Sequence, residues 1–93
     1  TRAAQTQNTR NMTLDFIKNI VQQIVIHPED VQITRSVDNL GVLYTIKTNP
    51  LDSGILIGRK GSTIEAIRLI GRIVGYKEKE KVSIKFDDPR KRV

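Results

Sequence analysis

Two glycines enclose a pair of basic residues in the second half of the chain, in the order Gly58-Arg59-Lys60-Gly61. Glycine adopts backbone conformations that other residues avoid, and without a Cβ it lets a ligand approach the main chain closely. A helix is predicted to begin directly after Gly61, so its first N–H groups and the positive end of its dipole face the loop. Two cations beside such a helix end predict a site for the phosphate backbone of a nucleic acid.

The distribution of charge along the chain supports this hypothesis. The formal net charge is +6 and the isoelectric point is near 10.0. Residues 13–58 carry three basic and five acidic side chains, whereas residues 59–85 carry eight basic and three acidic ones. The positive end of the chain therefore begins at Arg59, which predicts a polyanionic partner.

Composition excludes several other classes of protein. The 93 residues suffice for one small domain. There is no cysteine and a single histidine, His27, so we predict no metal site, no cofactor and no catalytic residue. An enzyme acting on small phosphorylated substrates is the less favoured class, because Gly61 is followed directly by Ser62 and the P-loop pattern is absent. With no apolar run of membrane-spanning length and no apolar leader, we expect a cytoplasmic protein without a membrane span.

Hydrophobic periodicity and turn residues predict six elements around the loop. Their order is helix, strand, strand, helix, helix, strand, which predicts an α+β fold with the helices on one face of a three-stranded sheet. Residues 1–12 are predicted to be a disordered lead-in, 13–88 the folded domain and 89–93 a basic tail. The elements begin or end at Thr13 and Ile26, Val31 and Val37, Val42 and Ile46, Asn49 and Gly58, Ser62 and Val74, and Val82 and Phe86. Asn49 before Pro50 is predicted to cap the helical segment that follows it.

The long helix after the loop carries the most detailed expectations. Ser62 and Glu65 have the spacing of a capping box, and Gly75 is expected to close the helix. One apolar arc is predicted to be core, and Arg68 and Arg72 lie opposite to it. Tyr76, like Tyr44 of the second strand, is interpreted as a packing residue. The arc consists of Ala66, Ile67, Leu69, Ile70, Ile73 and Val74.

The run from Gly54 to Arg68, GILIGRKGSTIEAIR, resembles the signature of the KH family. In that signature, I-G-x-x-G is followed three residues later by an apolar residue, here Ile64. The resemblance extends from about Leu14 to Pro89, and the predicted element order matches the type II, prokaryotic topology. The segments HPED, GVLYT and RIVG are similar to those of small bacterial proteins with a single KH domain. KH modules clamp the backbone of about four single-stranded nucleotides with this loop.

The resemblance implies a set of RNA-binding residues. Gly58 and Gly61 would admit the RNA backbone, and Arg59 and Lys60 would neutralise phosphates. An apolar strip, formed by Gly54, Ile57 and Ile64, would contact bases in a groove walled by the second strand. Burial in the core remains an equal alternative for the isoleucines of that strip, and a solvated helix face is the alternative for Arg68. The complete set is Gly54, Ile57, Gly58, Arg59, Lys60, Gly61, Ser62, Ile64 and Arg68.

The same resemblance implies partners and a cellular role. Single-stranded RNA is the expected ligand, and a homodimer or a heterodimer with another KH protein is the expected assembly. The implied role is non-catalytic, as a small-RNA chaperone or a post-transcriptional regulator linked to cell elongation and division. The alternative is a KH-based dimerisation module with incidental RNA affinity. The solvent-exposed lysines near the end of the chain, Lys77, Lys79 and Lys81, alternate with glutamates and are interpreted as a soluble loop.

Overall fold

The computed structural model describes residues 12–91, and these form the predicted order of elements. Apart from Met12, the predicted lead-in lies outside the described residues, as do the last two residues of the predicted basic tail. No helix within residues 12–91 is long and apolar enough to cross a membrane. The elements are α1 Met12–Ile24, β1 Gln32–Asp38, β2 Gly41–Lys47, α2 Ser53–Ile57, α3 Ser62–Lys77 and β3 Val82–Phe86.

The three strands form one mixed sheet in the order β1-β2-β3. β1 and β2 are antiparallel with Ile33 opposite Ile46, and β2 and β3 are parallel with Tyr44 opposite Ile84. Alternate residues of β2 are buried, as its sequence pattern predicts. The α+β prediction is confirmed. The buried apolar residues are Ile17, Val21, Val25, Val31, Val42, Tyr44, Ile46, Leu56, Ile64, Ile67, Val82 and Ile84.

A buried carboxylate joins the end of α1 to the start of α2. Asp52 accepts hydrogen bonds from the backbone N–H groups of Ile26, at 3.2 Å, and His27, at 2.9 Å, and its Oδ2 lies 3.2 Å from His27 Nδ1. Burial alone would raise the pKa of Asp52, but these hydrogen bonds outweigh it and lower that pKa. Asn49 accepts a hydrogen bond from the N–H of Leu51, so its predicted capping role is confirmed. Both contacts fix the segment that leads into the glycine loop.

The N-terminus of α3 differs from the predicted capping box. Ser62 has helical dihedral angles of −65° and −39°, and the N-cap is Gly61 in the left-handed conformation. Glu65 pairs with Arg68 instead of reaching back to the cap. The prediction was wrong because Gly61, at a φ of 79°, turns the chain into the helix one residue earlier.

The C-terminus of α3 is also different. Gly75 lies within the helix, which continues to Lys77. The left-handed residue is Lys79, with a φ of 60°. The N–H of Glu80 donates to the Gly75 carbonyl at 2.8 Å, and the N–H of Lys79 donates to the Tyr76 carbonyl at 3.0 Å. This pair of bonds is a Schellman motif in which a lysine stands where glycine is usual.

The buried face of α3 is narrower than its apolar arc. Ile67 is buried, and Ile70 and Val74 are half-buried, but Leu69 is 51% and Ile73 61% exposed. The structural reason lies in two glycines, because a Cβ at Gly71 would meet the Ile84 side chain and one at Gly75 would collide with Val82. Without a Cβ at these positions, the helix packs closely on β3, and part of the arc stays uncovered. The core prediction was therefore wrong for Ala66, Leu69 and Ile73, which are exposed.

Candidate functional site

The Gly58–Gly61 loop is a tight turn of left-handed backbone between α2 and α3. Gly58 has φ 74° and ψ 178°, Lys60 has φ 55° and ψ 29°, and Gly61 has φ 79°. Gly58 N–H donates to the Gly54 carbonyl at 2.9 Å, and Gly61 N–H donates to the Gly58 carbonyl at 3.3 Å. A Cβ at position 58 would also overlap the Thr63 side chain. Glycine is needed at 58 for conformation and space, and at 61 for conformation alone.

The two cations of the loop point into solvent. Arg59 and Lys60 are exposed, and neither forms an ion pair with another of the described residues. The Ser62 N–H donates to the Arg59 carbonyl, which leaves the amides of Thr63 and Ile64 as the candidates for an anion at this helix end. Exposed cations and a helix N-terminus on one turn make a favourable position for a phosphate group.

The apolar strip beside the loop has three different environments. Gly54 is exposed, and a Cβ there would meet nothing within 4 Å. Ile57 is half-buried, so part of its side chain remains accessible. Ile64 is 6% exposed and belongs to the core. Burial therefore separates the two isoleucines: Ile64 is a core residue, and for Ile57 the contact with bases stays a prediction.

Arg68 extends the site from α3 to the sheet. Its Nε donates to the carbonyl of Ile84 in β3 at 3.1 Å, and its Nη1 pairs with Glu65. In the parallel pairing, the Lys81 carbonyl accepts from Val42 N–H at 2.8 Å, so even-numbered residues of β3 turn their backbone groups to the free edge. β2 is central and paired on both sides, so the free edge next to Arg68 belongs to β3. That the second strand walls the groove stays a prediction.

Two tyrosines were interpreted alike from the sequence, and the structure separates them. Tyr44 is fully buried in β2, as a packing residue should be, whereas Tyr76 is 85% exposed near the end of α3. Tyr76 and Lys81 line a cavity of about 410 Å³ that also includes Arg68 and Ile84. Sequence reasoning did not point to this cavity, for which the sequence signal is the four-residue spacing from Arg68 through Arg72 to Tyr76.

The elements follow the order helix, strand, strand, helix, helix, strand, and a Gly-x-x-Gly turn joins the second helix to the third. This combination defines a type II KH domain. The model of the family described as KhpA/KhpB, KH domain, matches residues 14–86, and the chain belongs to this family. The KH resemblance seen in the sequence is thus confirmed.

Curated relatives cover most of the chain. It is 34% identical over 72 residues to the RNA-binding protein KhpA of Listeria monocytogenes serovar 1/2a, a match that spans 77% of this chain and 95% of the relative. It is 30% identical over 74 residues to the RNA-binding protein KhpA of Bacillus subtilis strain 168, with coverage of 80% and 91%. The corresponding protein of Clostridium perfringens is 28% identical over 72 residues, with coverage of 77% and 96%.

Proposed function

We propose that this protein binds single-stranded RNA without catalysis and that the Gly58–Gly61 loop clamps the backbone of about four nucleotides. The observation that carries the proposal is the loop itself, in which two exposed cations without ion-pair partners among the described residues lie directly before the first turn of α3. The naming of the relatives as RNA-binding proteins supports it. Since its ligand is cellular RNA, we place this function in the cytoplasm.

Each residue of the proposed site has a physical role. Gly58 and Gly61 permit the turn, and Arg59 and Lys60 face the phosphates. Gly54 and the accessible part of Ile57 contact bases or sugars, with Ile64 supporting them from the core. Ser62 and Arg68 border the clamp on α3. The charges and apolar contacts of the proposed site support a role in holding RNA, and the proposal assigns it no covalent step.

A wider role follows from the family resemblance alone. We propose that the protein acts on small RNAs, as a chaperone or post-transcriptional regulator, with a link to cell elongation and division. One short groove gives modest sequence specificity, because phosphate contacts position a strand and carry no sequence information.

The test is the double variant Arg59→Asp with Lys60→Asp. Both residues are exposed, so the melting temperature should stay unchanged while RNA affinity falls by at least about 100-fold, since two charge-assisted contacts become repulsive. The matched control is Lys18→Asp with Lys85→Asp, which changes the net charge equally at two other exposed positions. Unchanged affinity in a folded loop variant would contradict the proposal.

A second function is favoured by the uncovered part of the apolar arc. Leu69 and Ile73 are exposed on one face of α3, and the exposed Ala66 lies on the same face about one turn before Leu69. Exposed apolar residues that adjoin one another are typical of protein–protein interfaces. We propose that this face, residues 66, 69 and 73, pairs the domain with a second copy or with another KH protein.

Substitutions in this face should convert the proposed dimer to a monomer without altering the glycine loop. The variant Leu69→Lys with Ile73→Lys should remain folded and sediment as a monomer at concentrations where the natural protein is a dimer. Sedimentation velocity measures this directly. If natural protein and variant sediment identically as monomers, the face is not a dimer interface.

A further inference from the structure

A short helix leads into the Gly58–Gly61 loop, and a buried carboxylate lies at its start. α2 contains only the five residues Ser53–Ile57, and the fully buried Asp52 comes directly before it. Resting on the proposed RNA binding, we infer that Asp52 is a positioning residue for the loop. Its bonds to the segment after α1 set where α2 lies, and α2 in turn sets where the two cations of the loop meet the RNA backbone.

The contacts of Asp52 reach a segment far from it in the chain. Its Oδ1 accepts from the Ile26 N–H at 3.2 Å, and its Oδ2 accepts from the His27 N–H at 2.9 Å and lies 3.2 Å from His27 Nδ1. These two partners follow directly after the end of α1 and are 26 and 25 residues away from Asp52 in sequence. The carboxylate therefore joins the start of α2 to the end of α1.

This carboxylate is ionised although it is buried. Burial alone would raise the pKa of Asp52, but the bonds from His27 and Ile26 hold that pKa below its ordinary value. A buried charge is unfavourable unless hydrogen-bond donors meet it, so Asp52 favours the one arrangement in which both N–H groups reach its oxygens. Close packing alone would be served by an apolar side chain of similar size. The charge indicates a role in fixing the position of α2.

α2 depends on such contacts for its position, because a helix of five residues has little stability by itself. Leu56 is fully buried and packs into the core, and the bond of 2.9 Å from the Gly58 N–H to the Gly54 carbonyl closes the helix. With a rise of about 1.5 Å per residue, Asp52 lies only about 9 Å from Gly58 along this path. A displacement at Asp52 is therefore passed on to the loop.

The loop fits closely against α3 and has little room for displacement. A Cβ at Gly58 would overlap the Thr63 side chain, so the end of α2 lies directly against the first turn of α3. The amides of Thr63 and Ile64 and the two loop cations can meet one phosphate only while α2 and α3 keep this arrangement. Because an offset of about 1 Å loosens a binding site, loss of the Asp52 bonds should weaken RNA binding with every RNA-facing residue retained.

The test is Asp52→Asn, which keeps the shape of the side chain, removes its charge and places an amide NH2 against one of the two N–H groups. Affinity for an oligouridylate of about four nucleotides should fall by about 10-fold at a temperature where the variant is fully folded. The matched control is Val82→Ala, at the buried start of β3 beside Gly75. It lowers stability through a core cavity and should keep the natural RNA affinity.

Amide hydrogen exchange without RNA gives a readout that a general loss of stability would not move. In Asp52→Asn, the bonded amides of Gly58 and Gly61 should exchange at least about 10-fold faster relative to the amide of Ile67, inside α3. In Val82→Ala, this ratio should be natural, because the loop and the helix lose protection together.

A milder variant covers the case in which Asp52→Asn does not fold. His27→Ala removes the imidazole contact and leaves both backbone bonds to Asp52, so RNA affinity should fall by about 3-fold. If Asp52→Asn does not fold and His27→Ala keeps the natural affinity, the inference is overturned.

The outcomes separate this inference from the proposed function. If folded Asp52→Asn binds RNA and exchanges its loop amides as the natural protein does, Asp52 does not position the loop. If Val82→Ala loses the same affinity, Asp52 contributes only stability, and the inference is overturned as well. If the natural protein binds no RNA, the proposed function fails, while the exchange ratios of the two variants still decide whether Asp52 positions the loop.

Discussion

The two ends of α3 contain lysines in the same strained conformation, and their surroundings differ. Lys60 has a φ of 55° in the loop before the helix, and Lys79 has a φ of 60° in the turn after it. At Lys79, two backbone hydrogen bonds of a Schellman motif explain the conformation. At Lys60, the side chain stands exposed beside Arg59 on a helix N-terminus. Glycine would satisfy either backbone, and only at position 60 does the proposed RNA clamp give the lysine cation a use.

Replacing the glycines on either side of Arg59 and Lys60 should cause the largest losses of folding stability. Gly58→Ala should destabilise the fold by about 3 kcal/mol, because its backbone conformation suits glycine alone and its Cβ would overlap Thr63. Gly61→Ala, where a Cβ has open space, should cost only about 1 kcal/mol. Urea unfolding of the two variants measures the difference. Equal losses would mean that the space at Thr63 does not matter.

A smaller loss of folding stability is expected at the turn between Asp88 and Arg90, because an ion pair and not the backbone conformation stabilises it. Arg90 bonds the buried Asp88 through Nη2 at 3.0 Å and Nε at 3.2 Å, which lowers the pKa of Asp88 from 3.8 to about 2. Because the folded pKa lies below the unfolded one, this stabilisation is complete above about pH 4 and is lost as the pH falls towards 2. Asp88→Asn should cost about 1–2 kcal/mol at neutral pH.

The pH profile of melting provides the check. The melting temperature of the natural protein should fall between about pH 4 and pH 2, and that of Asp88→Asn should fall less steeply. Asp15→Asn, at an exposed position of α1, is the control and should keep the natural profile. Profiles of the same slope in all three proteins would show that Asp88 does not contribute to acid unfolding.

The smallest changes in folding stability are expected when the two left-handed lysines are replaced by glycine. Lys60→Gly and Lys79→Gly should each stabilise the fold by about 0.5–1 kcal/mol, since each relieves a left-handed lysine at the cost of chain entropy. Only Lys60→Gly should weaken RNA binding. With Arg59 and Lys60 engaged, the natural salt slope should be about −1.4, or about −2.1 if Arg68 or Arg72 is engaged as well. Lys60→Gly should reduce its magnitude by about 0.7.

Both measurements are needed for each variant. Thermal melting tests whether the two lysines carry the same backbone strain. RNA titration at several salt concentrations tests whether their side chains contribute equally to binding. If Lys79→Gly lowered RNA affinity as much as Lys60→Gly, the two ends of α3 would be equivalent in binding, and the distinction drawn between them would be wrong.

Features that depend on neighbouring residues could be predicted from the sequence. The alternation of Val42, Tyr44 and Ile46 placed β2 correctly, and Asn49 before Pro50 correctly predicted a cap. Ser62 and Glu65 show the limit of such patterns. Their spacing is that of a capping box, but Gly61 occupies the N-cap position and Glu65 pairs with Arg68.

By itself, the sequence determined the order of elements, the glycine loop and its two cations, because periodicity, turn residues and helix starts are properties of short segments. The tertiary structure decided which side of α3 is buried and which strand borders the site. Gly71 and Gly75 let α3 approach β3 so closely that Leu69, Ile73 and Tyr76 remain in solvent. A helical projection cannot reveal this, since it shows which residues share a face and not how near the next layer can come.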